Sequence, residues 1–188
     1  MTFWEYISEL FNDVPLYVYL SLVVVFITGT VLLLLTRGLN KGMKDVMVLL
    51  FLEYVFLLYS STVVYRSVKP DIRYNLTPFW SYKAIAKGDN TGLLPENIMN
   101  VAVFIPLGII LGIAVKQRKK SDGKYKTGWL GAIMVGLLLS LGIEISQYLL
   151  KKGLAETDDV IHNTTGCFIG YFLVVGILQF CKYFKQYK

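Results

Sequence analysis

Histidine and cysteine are nearly missing from this sequence: one histidine and two cysteines among 188 residues. A lone histidine with carboxylates makes a poor zinc set, so no metal and no cofactor is expected. Cys167 and Cys181 lie within and at the end of the last apolar block, 14 residues apart. On a single helix that separation is about 21 Å, too far for a disulfide. No CxxC pair and no G-x-S-x-G nucleophile motif occurs, and Ser146 has no evident oxyanion partner. Charge is scarce as well, at 17% of residues, where soluble domains hold about a quarter. The opening stretch MTFWEYISELFNDVP has no basic n-region and carries Glu5, Glu9 and Asp13. It is therefore not expected to be a secretory signal peptide.

What the sequence does have is hydrocarbon. Hydrophobic residues make up 55% of the chain and the mean hydropathy is +0.54. They come as five blocks: Pro15 to about Thr36, Val46 to about Tyr65, Glu96–Val115, Gly128–Leu150 and Asp159 to about Phe180. Each is long enough to cross a core of about 30 Å at about 1.5 Å per residue. The expected fold is all-α, a polytopic membrane helix bundle of five transmembrane helices forming a single domain over residues 1–188. Residues 1–14, with weak helical amphipathicity, suit an interfacial segment, and 66–95 form the longest polar connection.

A net charge of +6 does not point to nucleic acid, because the basic residues sit in short loops between apolar blocks. The loops 37–45 and 116–126 and the tail 181–188 hold 12 of the 19 Lys and Arg residues. Basic loops stay cytoplasmic, so the N-terminus is expected outside and the C-terminus in the cytoplasm. The connections 66–95 and 151–158 then face outward.

Polar residues gather at that outer level on three helices. Asn97 and Asn100 open the third block, Glu144 and Gln147 close the fourth, and Asp158, Asp159, His162 and Asn163 open the fifth. Asp159, Asn163, Gly166 and Gly170 share one helix stripe; Gly136, Ser140, Glu144 and Gln147 share another. Small residues let membrane helices approach, so pairing these stripes would bring Glu144 toward Asn163. Pro106 frees the Ala102 carbonyl and is expected to kink the third helix. Glu53 lies about 18 Å below the outer end of its block, too deep for this layer.

The outer connection reads NLTPFWSYK, the third block ENIMNVAVFIPLG, and the last segments EISQY and KKGLAETDDVIHNTTG. Together these resemble the VanZ-like family of small bacterial membrane proteins over roughly residues 60–175, with the core motifs within 75–175. The family's founding member is associated with resistance to the lipoglycopeptide antibiotic teicoplanin. The resemblance implies a multi-pass protein of the bacterial cytoplasmic membrane, and it supplies no agreed reaction. One departure is Lys152, where many relatives carry Arg before the glycine; lysine lacks the planar bidentate fork for anions. The N-L-T and N-T-T triplets at Asn75 and Asn163 match glycosylation sequons, discounted at the membrane edge of a bacterial protein.

These residues admit a functional and a plainer reading. In the first, Glu144 and Asp159 flank an outward-facing pocket as ligand contacts or catalytic acid and base, with Asn97, Asn100, Gln147, Lys152, Asp158, His162 and Asn163 binding a polar ligand. In the second, they form a structural hydrogen-bond layer, with Asp158 or Asp159 capping the fifth helix. The segment PFWSY is likewise either an interfacial anchor or a lid over the pocket. The expected partner is a membrane lipid or a lipid-linked envelope precursor, with further copies of the chain as a second class. Three functions follow: engagement of an envelope ligand or lipoglycopeptide that lowers antibiotic susceptibility, an enzyme acting on a lipid headgroup, or a non-catalytic membrane scaffold.

Overall fold

A computed structural model describes residues 12–88, 92–116 and 128–186. Five helices in it are long and apolar enough to cross a membrane: Leu16–Leu39, Gly42–Val64, Leu93–Ala114, Trp129–Leu150 and Thr157–Leu178, the first to fifth spans. The expected all-α polytopic bundle is the fold found. Most of the N-terminal interfacial segment (residues 1–11) and nearly all of the basic loop 116–126 lie outside the described residues, as does the side chain of Cys181.

The expected loop at 37–45 is not a loop. Helix continues from Leu16 to Tyr59 and is broken only at Gly38, whose φ of 69° folds the chain back. Such a φ is open to glycine and costly for other residues. Gly42 then packs under Leu33, where a Cβ would stand 2.8 Å from the carbonyl oxygen. Arg37 and Asp45 bridge the turn at 2.9 Å. The first two spans are thus a tight helical hairpin. The first is peripheral: 6% of its apolar window is buried, against 28–39% in the other four.

The third, fourth and fifth spans make the core, around Phe104, Leu107, Ile143 and Cys167, with Leu58 and Val63 of the second packed against them. Glycine sets the closest approach. A Cβ on Gly166 would run into the Val101 carbonyl, one on Gly170 into that of Ile105, and one on Gly108 into that of Cys167. The small face of the fifth span therefore seats the third span, not the fourth as the stripe pairing suggested. The fourth span is met by a neighbouring stripe: Asn163 Nδ2 donates to Ser140 Oγ at 2.9 Å, Gly136 lies against Cys167, and Cys167 Sγ donates to the Ala132 carbonyl at 3.2 Å. One face of a helix divides between two neighbours because each needs only part of its width.

Pro106 sits within the third helix. Tyr54 of the second span donates its hydroxyl to the Val103 carbonyl at 2.7 Å, beside the Ala102 carbonyl that proline deprives of its donor. Glu53 finds no such partner: its Oε1 is buried and unpaired.

At one end of the bundle the long connection between the second and third spans meets the short one between the fourth and fifth. Arg73–Asn75 (β1) pairs in parallel with Leu154–Glu156 (β2), Arg73 opposite Leu154 and Asn75 opposite Glu156. The second span reaches this end through a π-helical turn, Ser60–Val64. The connection between the second and third spans also holds a short helix, Trp80–Lys87.

The glycine contacts generate a test. Gly166→Val should destabilise the detergent-solubilised protein by about 1–3 kcal/mol or more through overpacking. Gly131→Val, where a Cβ meets open space, should stay within about 0.5 kcal/mol in the same thermal unfolding assay.

Candidate functional site

The site is built where β1, β2 and the short helix close over the ends of the last three spans. The short helix lacks a cap of its own. Phe79, before its first turn, takes a φ of 59°, and the amides that follow need an acceptor. Asp158 supplies it. One carboxylate oxygen accepts the Phe79 N–H; the other accepts the Ser81 N–H at 3.0 Å and its hydroxyl at 2.6 Å. Asp158 is 1% exposed. It does cap a helix, but the short one, whose first residues lie almost 80 positions earlier in the chain, and this differs from the expected cap on its own helix. The segment PFWSY, Pro78–Tyr82, expected as an interfacial anchor or a lid, thus folds down onto the layer.

Its other residues join the same surface. Trp80 Nε1 donates to Glu156 at 3.3 Å, and Tyr82 shares a 2.8 Å hydrogen bond with His162 Nε2. Asn97 Nδ2 donates to Ser81 Oγ at 3.0 Å, tying the third span to this segment. Asn100 Nδ2 donates to Asp159 at 2.6 Å. Glu144, buried in the fourth span, accepts the backbone N–H of Glu156 at 2.9 Å. Glu144 and Asn163 do occupy one buried interface, yet they do not bond: Asn163 is taken by Ser140, a turn deeper. Gln147 turns toward the second span and donates to the Thr62 carbonyl at 3.0 Å. Among the described residues, His162 Nδ1 and Asn163 Oδ1 are buried without a partner.

Lys152 goes elsewhere. Its ammonium donates to the Val64 carbonyl at the end of the second span, where a helix leaves carbonyls unpaired. The cation that does reach the layer is Arg66. Its guanidinium lies over Gly153, where a Cβ would stand 2.9 Å from Nη1, and within electrostatic reach of Glu144 and Asp159. No described carboxylate of the layer forms an ion pair; Arg37–Asp45 is the one pair among the described residues.

Two acids and a serine were missed as site residues from sequence alone: Glu156, Glu96 and Ser81. Glu156 was readable in principle, as the first acid of the E-T-D-D run. Burial pushes the Glu156 carboxyl up to about 8, and the nearby Asp159 and Glu96 carboxylates push the same way, against the Trp80 indole N–H. The layer is thus a group of five acids, Glu96, Glu144, Glu156, Asp158 and Asp159, facing one arginine.

The sequence model of the VanZ/LLP1 family matches residues 46–179. The chain belongs to the VanZ/LLP1 family. Over 96 residues it is 36% identical to Protein VanZ of Enterococcus faecium, a stretch that is 51% of this chain and 48% of that protein. The chain thus covers about half the length of that relative. No solved structure matches. The VanZ/LLP1 region takes in every residue of the carboxylate layer and leaves out the first span.

Two measurements follow. Asp158→Ala should leave the spans intact while the amides of residues 79–83 exchange about tenfold or more faster, since bonds to a buried carboxylate contribute roughly 1.5–3 kcal/mol. Hydrogen–deuterium exchange reads this directly. For Glu156, the folded state holds a proton that the unfolded chain releases near 4.5. Its contribution to stability therefore falls as pH rises from about 4.5 to about 8 and is flat above. Glu156→Gln should remove that part of the slope in thermal melts across this range.

Proposed function

We propose that this VanZ-family membrane protein engages, at the carboxylate end of its bundle, a lipid-linked or peptidoglycan-related envelope ligand or a lipoglycopeptide such as teicoplanin, and lowers susceptibility to that antibiotic. The distribution of basic residues supports placing this end outside the cytoplasmic membrane. One observation carries the reading. Glu144 is buried and Asp159 half-buried, yet each holds a single hydrogen bond among the described residues and neither is ion-paired.

A carboxylate offers about four acceptor positions. Taking it out of water without filling them costs free energy that packing does not return. Groups left in that state are suited to a ligand rich in donors, such as sugar hydroxyls and amines. This reverses the sense of an anion site at Lys152, whose ammonium is already committed to Val64. The segment Pro78–Tyr82, held by Asp158 and Glu156, would be the lid over that ligand.

The facing of Glu144 and Asp159 across one helix interface supports a second reading, an acid and base acting on a lipid headgroup. The same variants separate the two. Glu144→Gln and Asp159→Asn should each abolish any shift in teicoplanin susceptibility and reduce ligand retained in native mass spectrometry of protein released from membranes. If binding persists in the variants while turnover of a lipid headgroup is lost, the enzyme is the correct reading. Wild-type susceptibility and wild-type binding in both variants would falsify both.

A further inference from the structure

Away from the carboxylate layer, the second and fourth spans part to leave a groove of about 230 Å³. Leu58, Leu139 and Ile143 form its walls and Gly142 opens its floor. Its upper edge is closed by Tyr59, which donates its hydroxyl to Ser146 at 2.9 Å. Ser146 lies five residues before Lys151, about 7.5 Å along the helix, and Leu138 about 12 Å deeper still. The groove therefore runs within the depth of bilayer hydrocarbon, with its polar edge nearest the loops.

The two helices that wall it end in cations. Lys152 binds the Val64 carbonyl and so ties one wall to the other. The Lys69 amide donates to the Lys151 carbonyl at 2.7 Å, which brings Lys69 beside them. None of Lys69, Lys151 and Lys152 is ion-paired with a described carboxylate, although Asp71 lies on the same connection. An apolar channel beneath Lys69 and Lys151, the latter's ammonium meeting only the Pro70 carbonyl at 3.4 Å, matches a molecule with a hydrocarbon chain below a negative head. A void there would forfeit the dispersion contacts of its lining.

We propose that this groove holds one acyl chain of an anionic phospholipid, with the phosphate at Lys69 and Lys151, while Lys152 stays on the Val64 carbonyl. The site does not depend on the carboxylate layer binding anything, and it stands or falls separately from the function proposed above. Gly142 makes it testable, because a Cβ there meets nothing within 4 Å. Gly142→Leu fills the groove without striking backbone.

The protein is reconstituted in phosphatidylcholine bilayers with a trace of phosphatidylglycerol carrying a diazirine on one acyl chain, then irradiated, and labelled peptides are mapped. Label is expected on residues 55–59 and 138–146. It should fall about tenfold in Gly142→Leu and stay at wild-type level in Gly131→Leu, whose Cβ also meets open space. The double variant Lys69→Gln with Lys151→Gln should lose label by about fivefold for each lysine removed. This second arm leaves the groove unfilled, so it decides the matter if the leucine variant fails to fold. Equal labelling by the matching phosphatidylcholine probe in the wild type overturns the proposal, as does label indifferent to both sets of variants. Label from a polyprenyl phosphate probe alone also overturns it, by assigning the groove to a different lipid.

Discussion

The buried carboxylate of Asp158 is the contact on which the polar end of this bundle depends. It supplies acceptors to Phe79 and Ser81 at once, and so converts a polar connection into a helix seated on the ends of three spans. Through Ser81 it also positions Asn97, and through the short helix it brings Trp80 to Glu156 and Tyr82 to His162. Without it, the first amides of the short helix would have no partner in a region where water is scarce, a state that costs free energy at every group. The remaining acids of the layer are placed by this closure more than by contacts with each other.

The bundle below obeys a different constraint. Lipid tails are as apolar as leucine, so helices in a bilayer gain little from hiding hydrophobic surface and associate by close packing and internal hydrogen bonds. The third and fifth spans use glycine to bring backbones together, while the fourth and fifth use Asn163 and Ser140. The first span has neither device over most of its length and stays largely in contact with its surroundings. The limits of the VanZ/LLP1 match, 46–179, follow this division closely.

Much of the fold was legible in the chain because hydropathy over 20 residues is a strong signal. The five spans, and the gathering of Asn100, Glu144, Asp159 and Asn163 at one level, follow from counting residues along helices of known rise. Direction around the helix was harder. The stripe Asp159–Gly170 was one face by periodicity, yet nothing in its spacing says that Asn163 meets the fourth span while Gly166 meets the third. Long-range partners were not legible at all. Asp158 reads as a cap for its own helix, and Lys152 as an anion ligand, until the β1–β2 pairing brings distant connections together. Gly38 shows the limit for loops: a basic stretch between apolar blocks looks like a connection, but one residue of positive φ suffices to turn the helix.

The parallel pairing of β1 with β2 joins strands from opposite halves of the sequence. A ribosome delivers the N-terminal half first, so Phe79 and Ser81 emerge long before the aspartate that receives them. Until the final helix has been inserted, the earlier segments wait with an unfinished cover and with Glu96 and Glu144 not yet enclosed. Assembly of the polar end is therefore a late event in biogenesis, and a chain arrested before its last helix would display to the membrane's quality-control proteases the very surface that the finished protein conceals.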